Sequence, residues 1–253
     1  MIEVKNISKS FGKKQVLRDV SIALQRGKMN FIIGQSGSGK TVLLKSIIGL
    51  HRVDQGQIIY DGEVYSEMDV KEKRQVRKKI GMVFQGSALF DSATVYENIC
   101  FPLKMFTRMT RKEQEMRVSF CLDRVNIKNA DALYPSEISG GMQKRVAIAR
   151  AIVLEPSYLF FDEPNSGLDP QTAIIIDELI KELTMDFNTV TVVNTHDMNS
   201  IIELGEHIVF IDKGTRGWQG TKDEILYTNN ENLNRFLFST RLLRSLVNKD
   251  SAR

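Results

Sequence analysis

Three short runs carry residue types and spacings suited to handling phosphate. Gly34-Gln35-Ser36-Gly37-Ser38-Gly39-Lys40-Thr41 follows an apolar stretch and precedes a segment of helical spacing. Glycines there let backbone amides approach phosphate oxygens that a Cβ would hold away. Lys40 is placed to meet the β- and γ-phosphates, and Thr41 to give its hydroxyl to Mg²⁺. Further on, Ser139-Gly140-Gly141-Met142-Gln143 opens a basic helical segment containing Lys144, Arg145 and Arg150. A serine hydroxyl, glycine amides and a helix N-terminus together make an anion site. The apolar run Tyr158-Leu159-Phe160-Phe161 then ends in Asp162-Glu163. A carboxylate closing such a strand suits a magnesium shell, and the next acid suits accepting a proton from an attacking water. One nucleotide needs only one phosphate surface in full, so the second implies a nucleotide held by another copy of the chain.

Single residues add to this set. Gln85 follows the strand-like run Ile80–Phe84 and can offer its amide to magnesium or water; alone, it reads equally as a surface glutamine. His196 follows the β-rich run Val190–Thr195, and strand ends on one edge of a parallel sheet line a ligand crevice, so it could reach a γ-phosphate. Phe11 is either an adenine-stacking ring or a hairpin-packing aromatic. Asn165-Ser166-Gly167-Leu168-Asp169 is a polar turn before Pro170.

The elements needed to position these residues are legible. Alternating apolar positions over residues 2–24 predict a small antiparallel sheet turning at Phe11–Lys14. Met29–Ile33 predicts a strand feeding the glycine loop, and Thr41–Leu50 a helix. Asp61-Gly62 marks a hairpin, and Lys71–Lys79 a basic surface segment. Residues 95–155 read as helical, interrupted by Pro102, Pro135 and the paired glycines. The β-rich runs 158–161, 189–193 and 207–211 alternate with helical stretches, implying a mostly parallel sheet with helices on both faces. From residue 229 the chain is Asn-rich and ends in a basic amphipathic tail. Its spacing fits a helix folded on its own core, a membrane-surface helix or an arm to a partner subunit, the arm being preferred to the membrane helix.

Bulk properties narrow the classes. The 253 residues are 42% hydrophobic and 26% charged, ordinary for a globular protein, and no run nears the ~18 apolar residues of a membrane span. The N-terminus lacks the apolar core of a signal peptide, predicting a chain that is not exported. Cys100 and Cys121 fit no metal spacing and are expected as buried thiols. A net charge of +4, without an aromatic-rich basic motif, argues against nucleic acid as a partner.

The order of these motifs resembles the ATPase subunits of ATP-binding-cassette transporters over about residues 1–228. Phe11, Gly34–Thr41, Gln85, Ser139–Gln143, Asp162-Glu163, Ser166–Asp169 and His196 match the family's motifs in sequence order. The resemblance implies an α/β fold: a P-loop NTPase core with a mostly parallel sheet, a small antiparallel β subdomain, and a helical subdomain inserted at about residues 92–155. Residues 229–253 would form a C-terminal tail. ATP and Mg²⁺ are the implied cofactors. Two chains would pair head to tail and enclose two ATP molecules, each between one chain's phosphate loop and the other's signature, with Asp169 near the junction. Met142 stands where most such proteins carry glutamine. Together with Phe84–Ser92 and Tyr96–Leu103, it resembles the Mla/Mce-associated ATPases. That likeness implies lipid transport with an integral-membrane permease and an Mce-type lipid-binding protein, at the cytoplasmic face of the bacterial inner membrane. Small-solute import of the amino-acid type, or a soluble ATP-driven switch, are the competing readings.

Overall fold

The computed structural model describes residues 1–238. Along the chain run β1 (Ile2–Phe11), β2 (Lys14–Leu24), β3 (Met29–Ile33), α1 (Lys40–Ile47), β4 (Gln55–Tyr60), β5 (Glu63–Val64) and α2 (Val70–Lys78). Then come β6 (Ile80–Val83), α3 (Val95–Phe106), α4 (Arg111–Arg124), α5 (Gly140–Ile152), β7 (Tyr158–Asp162) and α6 (Pro170–Asp186). The described chain ends with β8 (Val190–Asn194), α7 (Met198–Leu204), β9 (His207–Asp212), β10 (Thr215–Gly220), α8 (Lys222–Ile225) and α9 (Glu231–Leu237). These elements form two compact units. Of the described residues, one comprises 1–25, 29–67 and 194–238; the other comprises 26–28 and 68–193.

In the first unit, β2, β1, β4 and β5 make the expected antiparallel sheet. Its inward face is apolar, but not by plain alternation. Ile2 and Val4 point inward, then Ile7 does, because the register shifts between Val4 and Ile7 with Asn6 in the left-handed region at φ 50°. Asp19, at φ 49°, makes the matching break in β2, and Asn6 Nδ2 donates to Asp19 Oδ1 at 2.7 Å. The extra residue lets each strand keep its apolar side chains on one face. In the same unit β3 pairs parallel with β9, Asn30 opposite His207 and Ile33 opposite Phe210, and β10 runs antiparallel to β9. All five residues of β3 are buried, as a strand covered on both faces requires.

The Asn-rich segment closes this unit. Asn230 caps α9 and donates to Gly217 O at 2.9 Å, Asn232 donates to Asp212 Oδ2 at 2.9 Å, and Leu233 and Leu237 are fully buried. Phe236 lies with its ring 5.7 Å from that of Phe210. The described part of the tail therefore packs on its own chain rather than reaching toward a partner; Leu243, Leu246, Arg241, Arg244 and Lys249 lie outside the described residues.

In the second unit β6 and β7 pair parallel, Val83 opposite Phe161, and β8 flanks β7. α3 and α4 pack on α5. One expected interruption is absent. α3 runs through Pro102, held by buried Val95, Ile99, Cys100 and Leu103 despite the one lost N–H bond. The paired glycines begin α5 as expected, with Ser139 as its N-cap. Cys100 and Cys121 are buried and free, and burial pushes the Cys121 thiol up to about 11. Among the described residues no helix is long and apolar enough to cross a membrane.

Candidate functional site: two phosphate-handling surfaces

The glycine loop in the first unit forms a cradle between β3 and α1. Gly34 has φ 149°, and a Cβ there would come within 2.3 Å of Ile211 O, so only glycine fits. Gly37, at φ 78°, faces open space, where a ligand could approach the backbone. Gln35, Ser36 and Gly37 are exposed at the rim, while Ser38, Gly39 and Lys40 are buried. The loop is pinned from behind, since Gly214 N donates to Ser38 O at 2.9 Å. Lys40 Nζ folds back to donate to Gly34 O at 2.9 Å and Gln35 O at 3.1 Å. An ammonium held at the loop's mouth by neutral carbonyls is suited to exchange them for phosphate oxygens. Thr41 Oγ1 accepts from Asn194 Nδ2 at 3.3 Å.

Phe11 and His196 belong to the same unit. Phe11 is 46% exposed, with His51 edge-on at 5.2 Å and Lys9 Nζ 5.3 Å from its ring centroid. Asp54 fixes Lys9 at 2.8 Å. Burial, then Lys45 and Lys9, hold the His51 imidazole below its usual range. His196 is exposed just beyond β8, between Thr195, whose N–H donates to Ile32 O at 3.2 Å, and Asp197, the N-cap of α7.

The second unit gathers Gln85, Asp162, Glu163 and the loop to Asp169. Asp162 ends β7 and is buried. Glu163 takes φ 52°, a left-handed geometry that non-glycine residues adopt at a cost of order 1–3 kcal/mol. That turn lifts its side chain out of the strand's alternation. Ser166 N donates to Glu163 O at 3.2 Å, Asn165 Nδ2 donates to the buried Asp177 at 2.9 Å, and Gln85 Nε2 donates to Ser166 Oγ at 3.3 Å. Lys144, on α5, is buried and donates to Gln85 O. Burial holds its ammonium below the usual lysine range, opposed by the nearby carboxylates of Glu163 and Asp162.

Ser139, Gly140, Gly141 and Asp169 line one concavity of about 370 Å³ in this unit. Ser139 Oγ accepts from Met142 N at 3.3 Å, so its hydroxyl proton is left to donate to an anion. Gly140 has nothing within 4 Å of a Cβ position, and the helix start is open. Asp169 caps α6, accepting from Gln171 N, Thr172 N and Thr172 Oγ1 at 3.1, 3.0 and 2.6 Å. Its carboxyl is held below the ordinary range, chiefly by the Thr172 hydroxyl.

Against known proteins, residues 17–166 match the family model described as ABC transporter. The chain is 35% identical to the intermembrane phospholipid transport system ATP-binding protein MlaF of Haemophilus influenzae, over 94% of this chain and 90% of that one. It is 36% identical to the methionine import ATP-binding protein MetN of Campylobacter jejuni, over 94% of this chain and 75% of that one. The dimeric post-hydrolysis structure of the ATP-binding cassette MJ0796, bound to ADP and Pi, superposes with a TM-score of 0.80 at 32% identity, covering 88% of this chain and 99% of that one.

The chain belongs to the ABC transporter family. It is an ATPase subunit, it binds ATP, and its fold is that of the P-loop NTPase cassettes. Read with that, the donor set is informative. Among the described residues no group of three or more His, Cys, Asp and Glu could hold a metal. Hydroxyl, amide and single carboxylate oxygens with nucleotide phosphates completing the shell are donors that suit a hard cation such as Mg²⁺. Sequence reading overlooked Asn194, Asp177 and the tie made by Lys144. An acid directly after Ile174-Ile175-Ile176 was a usable signal for Asp177; nothing in the sequence marked Asn194 as a partner of Thr41.

Proposed function

We propose that this ABC ATPase energises phospholipid transport across a cell envelope from the cytoplasmic face of the inner membrane. Gly34–Thr41 hold the phosphates of ATP, with Lys40 on the β- and γ-phosphates. Thr41, Gln85 and Asp162 hold Mg²⁺, which supplies charge neutralisation at the phosphates. Glu163 takes the proton of the attacking water, His196 meets the γ-phosphate, and Phe11 stacks on adenine through its exposed face. Ser139, Gly140, Gly141 and Met142 receive the γ-phosphate of ATP bound to a second copy, with Asp169 at the junction. An anionic helix cap offers an acceptor, so what Asp169 takes from the partner chain is an N–H or O–H group.

The observation carrying the lipid reading is Met142 after the paired glycines together with the run Phe84–Ser92, both resembling the Mla/Mce-associated ATPases. Similarity to the MlaF relative supports it. A permease then docks at an apolar groove of about 310 Å³ lined by Met82, Phe84, Phe90, Phe101, Phe106 and Arg150. Phe90, Phe101 and Phe106 are exposed there, whereas Leu103 is core. An Mce-type lipid-binding protein completes the complex. A second reading, methionine or other small-solute import, is favoured by the MetN relative at 36% identity. Purifying the native complex and identifying the membrane subunit and co-purified molecule separates them: bound phospholipid is expected, and a bound amino acid would establish the second reading. Crosslinks to the permease are expected from a cysteine at exposed Ser92; Ser87 is buried and unsuited as a probe site.

A further inference from the structure

Helix α5 is tied to the loop after β6 by two of its cations. Lys144 Nζ donates to Gln85 O, Arg150 Nη2 to Ser87 O at 2.8 Å, and Arg150 Nη1 to Ala88 O at 2.8 Å. Lys144 is 5% exposed, and burial holds Arg150 below the usual guanidinium range. The loop they grip is strained: Ser87 and Ala88 are consecutive non-glycine residues in the left-handed region, at φ 61° and 49°. Such backbone persists only where the surroundings over-determine it. Its own bonds are two tight turns, Ser87 N to Phe84 O at 2.9 Å and Ala88 N to Gly86 O at 2.6 Å. The carbonyls of 85, 87 and 88 are thus fixed by the helix that begins at Ser139.

We propose that Lys144 and Arg150 form a two-point clamp by which the helix opening at Ser139 carries the Gln85 loop, making Lys144 a positioning residue for Gln85. The inference rests on the roles given above to Gln85 and Ser139. The clamp holds residues 85–88 in a conformation they would leave if released. A shift of the helix start when its amides meet a phosphate is then delivered to Gln85 through Lys144 and to the groove beside Phe90 through Arg150.

The test uses the full-length protein. In Lys144→Met the side chain keeps its length and loses its donor, so exchange of the Ser87 and Ala88 amides with solvent deuterium is expected to quicken about tenfold, the scale of one charge-assisted bond. Lys144→Arg restores slow exchange. Exchange unchanged in Lys144→Met overturns the clamp, and this reading does not depend on hydrolysis. For turnover, Lys144→Met is expected to lower kcat about tenfold with the KM for ATP within about twofold. The Gln85→Ala, Lys144→Met double variant should be no slower than Gln85→Ala. Losses that multiply overturn the positioning role. If Lys144→Met does not fold, Arg150→Lys, which retains charge but cannot reach both carbonyls, reports the same exchange at Ala88. A wild-type protein without ATPase activity would instead overturn the functional reading while leaving the exchange result to stand.

Discussion

The glycine loop and the Ser139 turn, the two phosphate surfaces of the proposed function, are built to opposite degrees of completion. Loop 34–41 is finished within its own unit. Its glycines occupy geometries closed to other residues, its lysine is already coordinated by Gly34 and Gln35 carbonyls, and Gly214 braces it from behind. The Ser139 turn is half a site. Its hydroxyl has accepted one bond and awaits an acceptor, its first glycine faces empty space, and the neighbouring helix cap is an anion. In the proposed function the finished cradle binds the ground-state nucleotide and the open helix end reads a nucleotide brought to it. That division is what an enzyme needs if binding and turnover are to respond to different events.

The sharpest way to break this comparison is to separate binding from chemistry. Glu163→Gln removes the proton acceptor and leaves the cradle untouched, so kcat should fall by about 10²–10⁴-fold with ATP affinity retained. Lys40→Ala removes a charge-assisted contact to ground-state phosphate, weakening ATP binding roughly ten- to a hundred-fold and stopping turnover. Titration calorimetry beside steady-state hydrolysis distinguishes the two. Equal loss of affinity in both variants would sink the assignment.

If the Ser139 turn is completed only by another chain, two defective chains should repair one another. Ser139→Arg and Lys40→Ala proteins should each be inactive alone. Mixed, they form a heterodimer that keeps one intact pair of surfaces, and measurable ATPase activity should return. No recovery, with heterodimer verified by native mass spectrometry, would mean that both surfaces serve the same chain.

How much of this was legible in the residues follows from what each motif depends on. The cradle was readable because its geometry is local: glycine positions, one lysine and one hydroxyl within eight consecutive residues, between a strand and a helix. The order of strands β7, β8 and β9 was readable for the same reason, from apolar runs of strand length. One helix break was misread, at Pro102, because buried neighbours outweigh one lost N–H there, whereas the helix start at the paired glycines was legible, with Ser139 as its cap. The long-range partners were not legible. Asn194 with Thr41, Asp177 with Asn165 and Lys144 with Gln85 are separated by 153, 12 and 59 residues, and each pairing is fixed by the fold rather than by spacing. The bulges at Asn6 and Asp19 were likewise hidden, since either residue reads equally well as a polar strand position.

Glycine substitution turns the comparison into a stability measurement. Gly34→Ala meets a backbone oxygen at 2.3 Å in a left-handed conformation, so the melting temperature should fall by roughly 5–15 °C. Gly140→Ala has free space and ordinary dihedrals, so its melting temperature should stay within about 2 °C of wild type. ATP-dependent dimerisation in a Glu163→Gln background should nevertheless weaken, because the methyl group crowds the space a phosphate would take. A large thermal loss in Gly140→Ala would show that the second surface is as fully packed as the first.

The smallest effect concerns Asp169, the charge that sets the second surface apart. Its carboxylate caps α6 and is kept below the ordinary range by Thr172, first through the hydroxyl and then through the amide. A carboxylate with a depressed folded pKa contributes stability that is complete above its unfolded value and is lost as pH falls through the folded one. The unfolded value is near 3.8. Wild type should therefore melt slightly above Asp169→Ala by a constant margin from neutral pH down to about pH 4, and that margin should shrink in more acidic solution. Asp169→Ser keeps a neutral cap, so its advantage over Asp169→Ala should not change with pH. Parallel melting curves of wild type and Asp169→Ala from pH 7 to 3 would mean that the carboxylate is not the cap. The anion beside the Ser139 turn would then be free to answer to a partner chain rather than to its own helix.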